Sequence, residues 1–202
     1  MLQTLRFTML QTLRRATAGV VVAAILWSAA GTLGSESLRA VVVSDLTGRL
    51  VAPFQVSGQR AIVFVFATID CPISNRYAPE VQRLHREFGA DAAFWLVYPD
   101  ASLSPEVLRQ HAKEYGYSFP ALRDARHTLV RLTGATVMSE VAVFDRSGRL
   151  VYRGRIDNRV VDFGTSRASA TKRDLQDVLT ALRAGTAISP ATTQAVGCDI
   201  PK

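Results

Sequence analysis

The chain has 202 residues, 48% hydrophobic and 20% charged, which suits one globular domain with a full core and short appendages and excludes a disordered chain. Its formal charge of +7 falls to +4, with 21 basic against 17 acidic side chains, once Arg6, Arg14 and Arg15 of an acid-free leader are set aside. That mild balance, without a basic stripe interleaved with aromatics, argues against a nucleic-acid partner.

Residues 1–30 read as a secretory signal. Arg14 and Arg15 precede an uncharged run from Ala16 to Ala30, and Ser28-Ala29-Ala30 fits a cleavage site. The competing reading is an uncleaved membrane anchor, since the apolar run extends to about 18 residues, the lower limit for a span. Met1 to Arg6 recurs at Met9 to Arg14, so a start at Met9 would give a leader of more usual length. Either reading places the following domain outside the cytoplasm, in a periplasmic or extracellular setting where disulfides persist. The expected organisation is a leader at 1–30, one domain at 36–188 and a tail at 189–202 rich in Thr, Ala and Pro.

Val41 to Val43 and Leu50 to Phe54 flank Asp45-Leu46-Thr47-Gly48 and predict a hairpin. Ala61 to Ala67 is an apolar, β-branched and aromatic run that suits a strand buried on both faces. Ser74 to Phe88 carries Tyr77, Val81, Leu84 and Phe88 at helical spacing and closes at Gly89. A second buried strand follows at Ala92 to Tyr98. Ser104-Pro105-Glu106 opens a helix that runs to Tyr115, with a capping residue and a first-turn proline. Phe119 to Leu122 predicts a short strand and Ala125 to Leu132 a helix stopped by Gly134. Glu140 to Asp145 and Leu150 to Ile156 flank Arg146-Ser147-Gly148 as a hairpin, and Lys172 to Ala184 is an amphipathic helix. Alternating strands and helices of this kind predict an α/β fold, a mixed central sheet covered by helices, with chemistry at the carboxyl ends of its parallel strands.

Cys71 falls at such an end, where Phe64-Val65-Phe66-Ala67 gives way to Asp70-Cys71-Pro72-Ile73-Ser74-Asn75. Its sulfur would face the free amides and positive end of the next helix, an arrangement that favours a nucleophilic thiolate. The plainer reading is an inert core cysteine. The turn, the proline and the polar Ser-Asn-Arg stretch favour reactivity. The second of the two cysteines is Cys198, which reads as a resolving thiol carried on a flexible tail, as half of a structural staple or as an unpaired residue. His85, His111 and His127 have no metal-type spacing and read as solvated helix-surface residues. His127, before the Thr133-Gly134-Ala135-Thr136 loop, is the one histidine that could face Cys71. No cofactor and no metal set is legible.

These motifs resemble the thioredoxin-like superfamily, whose members carry a cysteine at the first strand–helix junction and an Ala-Pro pair seven and eight residues on, here Ala78-Pro79. The likeness is stronger to exported bacterial redoxin-domain proteins of the peroxiredoxin-like, thiol-specific antioxidant type. They share Asp70 to Asn75, Tyr98-Pro99-Asp100, Thr133 to Thr136, Gly154 to Asp157 and Gly197-Cys198. The resemblance implies a thioredoxin-like three-layer sandwich and a thiol oxidoreductase working by thiol–disulfide exchange or peroxide reduction. Cys71 would be the nucleophile, with Ser74 and Thr68 beside it and Cys198 the candidate resolving thiol. The partners implied are a thiol electron donor and a disulfide or peroxide substrate. Thr68 stands where peroxiredoxins carry Thr-x-x-Cys, and Arg123, Arg153 and Arg155 are candidates for their arginine.

Two residues depart from the pattern. Ser74 replaces the second cysteine of Cys-x-x-Cys, so a local disulfide cannot form. Met138-Ser139-Glu140 replaces Thr-Pro-Glu, whose cis proline faces the reactive sulfur in the family. A cis bond before a non-proline costs about 2.5–4 kcal/mol, so a trans Met138–Ser139 bond is expected. The alternative to an enzyme is a thioredoxin-fold binding module, for copper through Cys71, His127 and Cys198 or for a partner in envelope maturation.

Overall fold

The computed structural model describes residues 37–201, and the predicted leader lies outside them. A seven-stranded mixed sheet runs in the order β2-β1-β5-β4-β3-β6-β7. Its strands are β1 (Val43–Asp45), β2 (Leu50–Val51), β3 (Ala61–Phe66), β4 (Ala92–Tyr98), β5 (Ala121–Arg123), β6 (Val141–Asp145) and β7 (Leu150–Gly154). The helices are α1 (Pro72–Phe88), α2 (Pro105–Glu114), α3 (Thr128–Thr133) and α4 (Asp174–Ala184). A separate hairpin pairs β8 (Val160–Asp162) with β9 (Thr165–Ser166). This is the thioredoxin-like α/β architecture that the sequence predicts. No helix among the described residues is long and apolar enough to cross a membrane.

β3 is an interior strand, parallel to β4 and antiparallel to β6, and all six of its residues are buried. Alternate side chains serve opposite faces. Ala61, Val63 and Val65 join one cluster with Tyr77, Val81, Leu84 and Phe88 of α1 and Leu175, Val178 and Leu179 of α4. On the other parity, Phe64 packs against Phe54 and Phe144 with ring centroids 5.4 and 5.9 Å away. Burial on both faces explains why β3 and β4 read as unbroken apolar runs.

Several boundaries differ from expectation for local reasons. The hairpin strands are β1 and β2 rather than Val41–Val43 and Leu50–Phe54, because the Asp45 carboxylate takes the amides of Thr47 and Arg49 and builds the turn. β5 begins at Ala121 instead of Phe119, after Pro120, which has no N–H to give a ladder. α3 begins at Thr128 instead of Ala125. The buried Asp124 carboxylate accepts the amides of Thr128, Leu129 and Val130, and His127 turns left-handed (φ 54°) to let it. Inside α1, Pro79 removes one backbone bond after Ala78.

The parallel strands β3, β4 and β5 gather their carboxyl ends at one rim of the sheet. The ladder continues past β3, where Ser139 N–H donates to the Phe66 carbonyl at 2.7 Å and Phe66 N–H to that of Glu140 at 3.1 Å. This registers the Met138–Ser139 turn beside the loop that ends in Cys71.

Candidate active site

Cys71 is the residue before α1, in extended backbone (φ −85°, ψ 107°), with Pro72 at the first helical position. It is fully buried, at 0% exposure, whereas Cys198 is half-buried, and both are free thiols. The two are neighbours. Cys198 packs against the hydrophobic cluster that contains Cys71. Burial, then the neighbouring Cys71 and Asp70, push the Cys198 thiol well above the ordinary thiol range. Cys198 is thus held as a thiol, near the residue that immediately precedes α1.

Backbone bonds bring Cys198 there. Met138 N–H donates to the Cys198 carbonyl at 2.7 Å, Ile200 N–H to the Thr136 carbonyl at 3.1 Å, and the Ser139 hydroxyl to the Val196 carbonyl at 3.1 Å. Val137 and Asp199 form an antiparallel bridge. Upstream, Arg153 N–H donates to Ala191 and Thr193 N–H to Arg153, and Tyr152 and Thr193 share a 2.6 Å hydroxyl bond. The tail expected to be flexible is therefore strapped along β7 and then across the 136–139 turn. Gly197 is required by close approach, since a β-carbon there would collide with the Met138 carbonyl oxygen. Ser139 has φ 70°, and the Met138–Ser139 bond is trans, as the missing proline predicts.

The redoxin family model matches residues 33–168. The chain belongs to the Redoxin family. No curated protein matches the sequence. Among solved structures, an uncharacterized conserved protein from Geobacillus kaustophilus is 24% identical, covering 80% of this chain and 87% of its own, with a TM-score of 0.71. A hypothetical protein from Sinorhizobium meliloti 1021 is 25% identical over 79% of this chain and 89% of its own, with a TM-score of 0.65. A secreted Mycobacterium tuberculosis disulfide oxidoreductase is 18% identical over 74% and 98%, with a TM-score of 0.50. These likenesses are of fold.

In this redoxin, the other predicted site residues fall unevenly around Cys71. Ser74 is buried in the first turn of α1. Thr68 is buried too, and its hydroxyl donates to Asp70 Oδ1 at 3.1 Å. The three candidate arginines are engaged elsewhere. Arg123 donates to the carbonyls of Ala101 and Leu103, Arg153 pairs with Glu140 and Gly134, and Arg155 pairs with Asp174. The His127 ring bonds to the Pro99 carbonyl at 3.0 Å. Among the described residues no three of His, Cys, Asp and Glu cluster in a way that could hold a metal ion.

One histidine corrects the surface reading. His111 is only 4% exposed, because it sits one turn from Leu108 on the buried face of α2. Asn75 Nδ2 donates to the Ile69 carbonyl at 2.8 Å, leaving Oδ1 to accept from His111 Nε2 at 2.9 Å, so His111 Nδ1 accepts from the Tyr98 hydroxyl at 2.7 Å. This chain, with Asn75 N–H on the Cys71 carbonyl at 3.0 Å, props the loop that carries Cys71. A polar residue at an apolar helical position was the available signal. Glu140, also buried, accepts the Thr136 amide at 2.8 Å and fixes the turn that seats the tail. The β8–β9 hairpin went unread and is tied to α1 by Arg76–Ser166 at 2.8 Å and by Val160 N–H to the Tyr77 hydroxyl at 3.4 Å, while that hydroxyl donates to Asp157 at 2.8 Å.

Proposed function

We propose that this redoxin is an exported thiol–disulfide oxidoreductase, periplasmic or extracellular, in which Cys71 is the nucleophile and Cys198 the resolving thiol. The observation that carries this reading is the backbone pairing of the tail with residues 136–138, which packs Cys198 against the cluster holding Cys71 across 127 positions of sequence. The Cys71 thiolate attacks a disulfide, forming a mixed disulfide and expelling one thiolate, which takes a proton. Cys198 gives up its proton and attacks the Cys71 sulfur, releasing the second substrate thiol and leaving a Cys71–Cys198 disulfide. The substrate gains two electrons that the cysteine pair loses, and an external thiol donor returns them.

Ser74 supports the assignment by leaving no nearer partner for Cys71. One fold relative, the secreted Mycobacterium tuberculosis disulfide oxidoreductase, agrees with both chemistry and export. Peroxide reduction is the weaker reading, because the Thr68 hydroxyl and all three candidate arginines already have other partners.

Mass spectrometry of the reduced protein after a stoichiometric dose of a small disulfide tests this. The wild type should yield a Cys71–Cys198 disulfide, Cys198→Ser a mixed disulfide on Cys71, and Cys71→Ser neither. A Cys71 that never oxidises, and alkylates no faster than a free thiol, would end the reading.

A further inference from the structure

Cys71 is fully buried at the rim where an active sulfur should be reachable, and the segment beside it is the chain's own tail. Val196–Ile200 lies antiparallel on the turn of residues 136–138, held by the carbonyl of Cys198 and the amide of Ile200. Those bonds are backbone bonds, so any extended chain could make them. Pro201, the residue after Ile200, lines a groove of about 500 Å³ together with Asp100, Ser102, Arg126 and His127.

We propose that Val196–Ile200 is an exchangeable gate over Cys71, displaced by an extended, cysteine-bearing polypeptide strand that takes its place on residues 136–138. The inference rests on the thiol-exchange function above and names its substrate class. A polypeptide strand replaces the lost bonds one for one, with a carbonyl on Met138 N–H and an amide on the Thr136 carbonyl. A small disulfide offers neither, so it must wait for the tail to open unaided. Cys71 then attacks the strand's disulfide as described, and the tail's return delivers Cys198 to the mixed disulfide. Resolution and product release become one movement, in which the tail recovers the edge as the peptide loses its covalent hold.

The test uses the full chain and two chromogenic disulfides with the same leaving thiol. One is a small alkyl disulfide, the other a nine-residue extended peptide with a central capped cysteine. Wild type should react with the peptide at least tenfold faster than with the small disulfide. N-methylation of the peptide residue two after the cysteine, the counterpart of Ile200 N–H, should remove that advantage. Gly197→Ala, which drives the tail off Met138, should raise the small-disulfide rate at least tenfold. Ser139→Ala, which loses only the hydroxyl bond to Val196, should shift it the same way by less, and near-UV circular dichroism checks that both variants are folded. Equal small-disulfide rates in the wild type and both folded variants would overturn the gate, as would a peptide rate indifferent to methylation, with Cys71 still the reacting sulfur. No reaction at Cys71 with either probe in any variant would overturn the thiol-exchange reading beneath it.

Discussion

Glu140 offers the sharpest test of how the 136–139 turn is built. Its carboxylate is 6% exposed and accepts the Thr136 amide at 2.8 Å, with longer contacts from the Thr136 hydroxyl (3.4 Å) and Val137 amide (3.5 Å). Its other oxygen lies 3.3 Å from Arg153 Nε, an ion pair rather than a directed bond. Glu140→Ala removes them all. The short amide bond to a charged group is worth about 1.5–3 kcal/mol, and the two long contacts add little. Arg153, with its side chain 35% exposed, regains water, so losing the ion pair costs at most about 1 kcal/mol. The expected loss is about 3 kcal/mol, or roughly 6–12 °C in Tm for a domain of this size. Glu140→Gln keeps an acceptor for Thr136 and should cost about 1 kcal/mol. Urea unfolding measures both variants. Because Thr136 receives the Ile200 amide, hydrogen exchange at Ile200 should quicken in Glu140→Ala as well. A loss below about 1 kcal/mol, or unchanged exchange at Ile200, would refute the idea that this carboxylate holds the turn for the tail.

Two further outcomes follow from buried contacts. Burial lowers the His111 pKa from its ordinary 6.5, although Glu114 pulls the other way; the groups facing the ring are Asn75, Tyr98, Tyr115 and Tyr117. A depressed histidine gives a stabilisation that is complete above the unfolded value and is lost as pH falls below about 6.5 towards the folded one. Unfolding free energy should therefore drop more between pH 7.5 and 5 in wild type than in His111→Leu; parallel profiles would sink this, and the lowered His85 cancels between the two proteins. At Gly154 (φ 154°) a β-carbon would strike the backbone and hydroxyl of Thr193. Gly154→Ala should lift the tail from β7, cost about 2 kcal/mol and speed exchange at the Thr193 amide, with protection at wild-type level as the contrary result.

What the sequence made legible was whatever local pattern controls. β4 matches its expected span and β3 ends one residue short of it, because burial on both faces writes itself as a run of apolar residues. The Cys71 junction was visible for the same reason, since a strand end, a proline and a helical period locate it without long-range information. Ser139 was flagged by a residue that is missing, and the trans bond agrees. The errors have one physical source. Asp124 delays α3 by capping amides four to six residues ahead, and β8–β9 is too short to show alternation. His111 lay on the apolar face but was assigned to solvent, because its partners Asn75 and Tyr98 belong to other elements. The tail was misjudged most. Thr, Ala and Pro signal a loop, while its order comes from bonds to Arg153, Thr136, Met138 and Ser139. Gly197 was quoted only as half of a motif, and its meaning is steric.

The replacement of a neighbouring cysteine by Ser74 changes what the rest of the chain must do. In a local dithiol, the helix that exposes the nucleophile also supplies its partner, so resolution needs no movement and places no demand on access. In the proposed reaction the resolving sulfur would arrive on a separate segment, which would have to lie across Cys71 to reach it. On that reading the burial of Cys71 follows from the way Cys198 is delivered. The backbone bonds that seat the tail on residues 136–138 also occupy the edge of that turn. Oxidation would tie the tail down covalently and close the site until a donor reduces it, whereas reduction leaves only a few hydrogen bonds to exchange. Under the proposed exchange, access would be coupled to redox state through one segment, and Gly197, which lets that segment lie flat on Met138, would set how firmly the two are joined.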